Sequence, residues 1–535
     1  MLYDRYVSED MNAGDCFTMI NNLDSKKDSF IKRYVTKIAV NIVGIFFSVI
    51  LAGVVPRSLG AKNYGDYSFL TNIFSQFVNF LDMRTSTCLY VKLSQEQKNF
   101  QIIKFYSFLS VLIIIIMFVG TWIITSNQIL LDNLLPFQQA RYIYIAVIFA
   151  VMTFIQQQFA KIMDALGLTV FSEEINLFLR LSSLLLVIVF FKIKALDLSL
   201  YFYINIATSL LFVLIIFFVL RKKISFFPTT DFIVIKKYAK IFYTYCTPLV
   251  VYVVIGFTSE YVDRWILQKY GGSIQQGFYA FAFNISNASM IMVSTIFLLF
   301  TREVSASVGQ NDIKAIAKLF NTYVPILYVL VSFFSCFLFF HADNVIKLLG
   351  GKDYNGASLV LKVLSMYPLV STFSMMSGSV IYATERTVIF RNISFVLAPI
   401  GVFVSAILIS PIAGINLGAA GLGIKNISLE FIAIVVILFL NSRYLKISFK
   451  KYFFHIIYIP IIALVCAGVS TYFVNMSIAS RSNALMSVIA SGIIYSAIFM
   501  TIIYFYPKLI FKEKYEVIDF LMALRSKLQK SGSAA

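Results

Sequence analysis

The chain has 535 residues, 59% of them hydrophobic and only 13% charged, with a mean hydropathy of +0.83. A soluble domain carries roughly 25% charged residues, so this chain has too few to cover a water-facing surface and reads as an all-α integral membrane protein. Its net charge of +19 would suggest nucleic acid in a soluble protein; here the basic residues report on loop placement instead, and no nucleic-acid partner is expected.

Residues 1–34 are polar, and the first apolar run lacks a small-residue cleavage site, so the first helix is expected to be retained. Apolar runs of spanning length lie at 35–55 (span 1), 67–90 (span 2), 105–125 (span 3), 141–163 (span 4), 174–191 (span 5), 200–220 (span 6) and 241–261 (span 7). They continue at 278–301 (span 8), 318–341 (span 9), 357–383 (span 10), 388–410 (span 11), 418–440 (span 12), 455–475 (span 13) and 485–507 (span 14). Fourteen helices of about 20 to 22 residues use about 300 residues, which leaves no room for a sizeable soluble domain. With the N-terminus cytoplasmic, 31 of the 45 Lys and Arg fall in cytoplasmic segments, 10 in external loops and 4 (Arg84, Arg180, Lys362, Lys425) inside spans. That positive-inside bias places both termini in the cytoplasm. The expected organisation is a cytoplasmic segment 1–34, an N-lobe 35–220, a cytoplasmic linker 221–240, a C-lobe 241–440, spans 13 and 14 within 441–507, and a cytoplasmic tail 508–535.

The external loops are too short for an external catalytic domain. Cys16, Cys88, Cys246, Cys336 and Cys466 are scattered and form no CxxC pair, so they read as packing residues. His341 and His455 have no ligand at metal-binding spacing, and no GxxxxGK[ST] phosphate loop occurs. No catalytic residue, metal or cofactor is expected.

The most informative feature is an internal repeat. GAKNYGDYSFLTNI at 60–73 aligns without gaps on GSIQQGFYAFAFNI at 272–285, with six of fourteen positions identical at an offset of 212. A second echo pairs LTVFSEEI at 168–175 with RTVIFRNI at 386–393, at an offset of 218. Six spans separate the copies, so both have the same orientation, as in transporters built from parallel repeats. Locally, GxxxxGxY reads as a tight external turn with glycine at positive φ. Its recurrence predicts two six-helix lobes facing each other, plus two C-terminal helices.

The segments VVPRSLGAKNYGDYSF, YVDRWILQKYGGSIQQGFYAF and LLGGKDYNGASLVLKVL, in that order and spacing, resemble the polysaccharide (O-antigen, Wzx-type) flippases of the multidrug/oligosaccharidyl-lipid/polysaccharide exporter (MOP) superfamily. The resemblance covers about residues 35–510. It implies fourteen helices in two lobes in a bacterial inner membrane, and movement of an undecaprenyl-pyrophosphate-linked oligosaccharide from the cytoplasmic to the periplasmic leaflet. The expected partners are that glycolipid, membrane lipids, H⁺ or Na⁺, and a polysaccharide polymerase. A multidrug exporter or a lipid II flippase would share the fold. A membrane glycosyltransferase or polymerase would need a large catalytic loop, which is absent.

Polar residues inside the spans nominate a site. On span 2, Ser68, Asn72, Ser75, Gln76, Asn79, Asp82 and Ser86 fall within an arc of about 120° on a helical wheel, more than one helix contact satisfies, so they are expected to face a water-filled cavity. Asn284, Asn287, Ser294, Thr295 and Arg302 partly repeat this on span 8. Span 5 carries Glu173, Asn176, Arg180 and Ser183 on one face. An arginine at the helix centre costs about 2.5 to 3.5 kcal/mol. Arg180 is therefore expected either to pair with Asp82 or Glu173 or to bind the pyrophosphate through its planar guanidinium; both hold if substrate displaces the carboxylate. Lys425 reads as a second cationic wall or a snorkelling lysine, and Lys362 as a snorkelling one. Arg84 reads as an anchor at the cytoplasmic end or as a partner to a neighbouring helix. Glu260 and Arg264 read as an i,i+4 helix-end pair with Asp263 beside them. Asp82, Glu173 and Glu260 are the acidic candidates for ion coupling, and the sequence does not choose between H⁺, Na⁺ and no coupling.

Overall fold

The computed structural model describes residues 30–95, 100–221, 232–411, 415–476 and 484–510. Most of the N-terminal segment, Cys16, linker residues 222–231 and tail residues 511–535 lie outside these ranges, as does the side chain of Thr295.

Hydrocarbon offers no partner to an open backbone group, so a spanning segment this apolar satisfies its amides within a helix. Among the described residues the elements are helices joined by short turns. Among the described residues nine helices are long and apolar enough to span by themselves, supplying spans 3 to 6, 9 and 11 to 14. Span 10 is a pair, Lys352–Leu364 and Tyr367–Ala383, bent by 40°. Spans 1 and 2 are one helix, Phe30–Asp82, broken at Gly60 (φ 71°, ψ 168°). Spans 7 and 8 are Phe232–Ser286, broken at Gly272 (φ 69°, ψ −176°) and continued by Met290–Gly309. The matching dihedrals show that the repeated turn is one conformation used twice, and its positive φ is where glycine carries no Cβ penalty.

Two expected spans are interrupted. Span 2 does not run to residue 90: it ends at Asp82, Met83 and Arg84 take positive φ, and a new helix runs Thr85–Gln95. Asp82 causes the restart. Its carboxylate accepts from Thr85 Oγ1 (2.8 Å), Ser86 N (3.1 Å), Ser86 Oγ (2.7 Å) and Tyr106 OH (2.9 Å), so it caps the first turn of the new helix. Span 8 is broken by a 3₁₀ turn at Asn287–Ser289. Elsewhere Asn127, Asp197 and Asp312 cap their helices with side-chain oxygens.

Three apolar cores divide the molecule. One gathers spans 2 to 6 and takes in Tyr238, Phe242 and Cys246 from the start of the span 7 helix; the Phe105 ring lies 5.1 Å from that of Phe242. The second gathers spans 8, 9, 10 and 12 with spans 13 and 14. Spans 13 and 14 are held against span 9 by Tyr328 OH donating to the Ile456 carbonyl (2.8 Å) and by His341 Nε2 with Ser491 Oγ (2.9 Å). The third core joins residues from both lobes around the two glycine turns. The span 7 helix bends by 63° between Ile235–Thr247 and Leu249–Ser289, leaving one core to line the other lobe.

Candidate functional site

At the glycine turns the two lobes touch through backbone. A Cβ added to Gly65 would overlap the Ser273 carbonyl, and one added to Gly277 would overlap the Ala61 carbonyl. The contact is reciprocal under the repeat, because 65 and 61 become 277 and 273 at the offset of 212. Polar bonds cross the same seam. Asp66 accepts from Ser273 Oγ and from Gln138 Nε2 (2.7 Å); Asn284 donates to Tyr64 OH (2.8 Å); Arg57 caps the end of span 9 through the Lys347 (3.2 Å) and Leu348 carbonyls. The three sequence segments that carry the family resemblance thus converge here, although they lie far apart in the chain.

Away from the seam lies a cavity of about 760 Å³, walled by spans 7, 8, 10, 11 and 12 and reached by Asn72 of span 2. Lys425 is 6% exposed within its wall and forms a 2.5 Å ion pair with Asp263, whose other oxygen accepts from Ser405 Oγ at 2.6 Å. Gly401 makes this possible: a Cβ there would sit 3.1 Å from Lys425 Cε. Arg264 lies over the Tyr279 ring (4.5 Å to the centroid) and donates to Gln276 Oε1 (3.2 Å). Asn426 donates to Tyr279 OH at 2.9 Å. Glu430 has no hydrogen bond or ion pair among the described residues, and neither has the buried Oδ1 of Asn72. Two cations against three carboxylates, Glu260, Asp263 and Glu430, leave this lining formally negative by one charge.

A second, smaller cavity of about 300 Å³ lies between the lobes and is lined by Gln76, Asn79, Asp82, Arg84, Lys161 and Glu260, among others. Gln76 donates to Glu260 across the lobe boundary. Glu260, Tyr252 and Gly256 line both cavities, so Glu260 stands in the wall that divides them. Lys161 donates to Ser86 Oγ at 2.7 Å and so joins the Asp82 cap.

Of the sequence-nominated residues, Asn72, Glu260 and Lys425 therefore meet in the larger cavity, and Gln76, Asn79, Asp82 and Glu260 in the smaller. Arg180 lines neither. Its guanidinium is exposed beside span 1, where a Cβ on Gly44 would lie 3.3 Å from Nη1. The Asp82–Arg180 ion pair does not form, because Asp82 is committed to its cap. Glu173 faces Lys37 (3.9 Å), which bonds Asp164 at 2.7 Å, and Asn176 lies beside Glu173. Arg180 makes no hydrogen bond or ion pair with any described residue. Asn284 belongs to the seam and Asn287 to the span 8 break. Lys425 does not snorkel, since Asp263 holds it inside. Lys362 pairs instead with the half-exposed Asp343 at 2.8 Å. Glu260 and Arg264 act on each other electrostatically but form no ion pair, and each hydrogen-bonds to a glutamine instead.

Sequence reasoning missed Asp263 and Lys161 as site residues. Asp263 left a signal: a carboxylate in an apolar lobe calls for an internal cation, and Lys425 lies well inside a C-lobe span.

No protein-family model and no curated protein matches the chain. Solved structures do. The lipid II flippase MurJ in an inward closed conformation superposes with a TM-score of 0.60 at 15% identity, covering 90% of this chain and 100% of its own. An inward-facing multidrug resistance MATE family transporter gives 0.56 at 12% identity, covering 78% and 99%. A MOP superfamily transporter from Pyrococcus furiosus, described by the reverse polarity of its binding pocket, gives 0.53 at 14%, covering 83% and 100%. The chain has the fold of the MOP superfamily transporters.

Proposed function

We propose that the chain is a polysaccharide (O-antigen, Wzx-type) flippase that carries an undecaprenyl-pyrophosphate-linked oligosaccharide across a bacterial inner membrane by alternating access. The observation that carries this reading is Arg180. A permanently charged guanidinium in the middle of a span carries an insertion cost of about 2.5 to 3.5 kcal/mol; Arg180 forms no ion pair among the described residues, and Glu173, the carboxylate within its electrostatic reach, is shared with Lys37. A pyrophosphate supplies the missing anion in bidentate geometry. The lipid tail stays in the bilayer and only the hydrated head needs a protein path.

The seam and the cavities supply the rest of the cycle. The lobe interface is shut at the seam, and the charge bias of the loops assigns that end to the outside. Rocking the lobes about the fixed site opens the seam. No covalent chemistry is required. Coupling to H⁺ or Na⁺ falls to Glu260, which sits between the two cavities, since Asp82 is a cap and Glu173 is shared with Lys37; one charge through 100 mV supplies about 2.3 kcal/mol. A polysaccharide polymerase would receive the product at the outer leaflet.

A second reading has its own support. Carboxylates and aromatic faces in the larger cavity suit an organic cation, and one structural neighbour is a multidrug transporter. Lipid extraction separates the readings. Cells lacking the chain are expected to accumulate an undecaprenyl-linked glycan by mass spectrometry. Accumulated lipid II instead would favour the lipid II reading, and unchanged glycolipids with new drug sensitivity would replace the flippase by an exporter.

A further inference from the structure

We infer that the 760 Å³ cavity of the C-lobe is the subsite for the sugar rings of the substrate, and that the phosphates are held outside it. This rests on the flippase reading and assigns different parts of the headgroup to different places.

The cavity lies within the size range of ligand sites, roughly 300 to 1,000 Å³, with room for a short chain of sugar rings. Its formal charge of minus one repels a phosphate group. Lys425, the cation that would otherwise attract one, is neutralised by Asp263, and Arg264 is spread over the Tyr279 ring. What the walls offer is acceptors in surplus: Glu430 and Asn72 Oδ1 are unpartnered among the described residues. Asn72 Oδ1, buried without a donor, is costly, Glu430 is half-buried, and a ligand rich in hydroxyl or amino groups supplies donors to both.

The aromatic lining completes the match. Tyr279 and Phe283 stack at 5.8 Å, and Tyr382 and Phe390 at 4.8 Å, and all four rings line the cavity. The electron-rich ring faces suit the C–H faces of a pyranose, while Tyr hydroxyls and Asn426 meet its edges. Such a lining fits an uncharged or amino-bearing glycan and disfavours one dense in carboxylates.

The test places the photoreactive residue p-benzoylphenylalanine at Phe390 or, in a second chain, at Ser394, both cavity-lining, in cells making the glycan. Illumination is expected to yield an adduct whose released mass contains the sugars. A chain with the probe at Trp122, which is 63% exposed, should yield at least about tenfold less. Cells stopped at the bare lipid pyrophosphate should give no adduct at either cavity position. Equal labelling in the sugar-free cells, or no adduct at either position in chains present at wild-type abundance, overturns the subsite. If the glycolipid fails to accumulate in cells lacking the chain, the flippase reading falls instead, so the two failures are distinguishable.

Discussion

Gly65→Val should abolish transport while leaving the chain in the membrane at near wild-type abundance. The side chain would enter the Ser273 carbonyl only where the lobes meet, and the two intralobe cores lie elsewhere. Overpacking costs about 1 to 3 kcal/mol, and here the cost falls on the shut state alone. Against a balance of a few kcal/mol between conformers, that shifts the population by roughly 5- to 150-fold toward the state open at the seam. Gly277→Val should match it, because its contact with Ala61 is the repeat-related copy. Gly120→Ala, with nothing within 4 Å of the added atom, should be silent. The readouts are surface glycan, membrane abundance and labelling of Ser394→Cys by an impermeant maleimide from outside, which should rise in both valine variants. Full transport with unchanged labelling in Gly65→Val would mean that the seam need not close.

Arg180→Ala should also lose surface glycan, and again without loss of protein. A charge-assisted hydrogen bond contributes about 1.5 to 3 kcal/mol, so removing the guanidinium should weaken substrate binding roughly 10- to 150-fold. Arg180→Lys should keep part of the activity, since the charge survives and the planar fork does not. Abundance separates this role from a structural one. Arg180 forms no ion pair among the described residues, and Glu173, which feels its charge, keeps Lys37 at 3.9 Å, so removing the guanidinium strands no charge. Lys425→Met leaves Asp263 buried and unpaired, which costs about 3 to 5 kcal/mol, and membrane abundance should fall. If Arg180→Ala transports normally, or if it depletes the protein as Lys425→Met does, Arg180 is not the phosphate site.

These outcomes also mark what the sequence makes legible. Hydropathy places the nine spans that stand as single helices among the described residues, because spanning requires long apolar runs whatever the packing. The repeat predicts two lobes and the positive φ of Gly60 and Gly272, since both are local properties. The role of Gly65 and Gly277 is hidden, because it depends on the approach of segments 212 residues apart. Asp82 misleads for a different reason. A wheel drawn over 67–90 assumes an unbroken helix, whereas the Asp-Met-Arg-Thr-Ser run stops one helix and caps the next. The Lys425–Asp263 pair shows the same limit. Each residue is conspicuous in an apolar lobe, yet only packing brings span 12 against span 7. Arg180 stands where the wheel puts it, on a polar face of span 5, within electrostatic reach of Glu173 but not paired with Asp82, which the cap has taken.

Movement of a lipid-linked anionic glycan is measured as translocation by the purified full chain in vesicles. A fluorescent undecaprenyl-pyrophosphate disaccharide is placed in both leaflets and the outer fluorescence is destroyed with an impermeant reductant. With the wild-type chain, the protected half should become accessible at a rate proportional to protein per vesicle, and Arg180→Ala should reduce that rate to the level of empty vesicles. Protection of half the fluorescence with the wild-type chain present, together with proton- or sodium-driven uptake of an organic cation by the same vesicles, would contradict that movement.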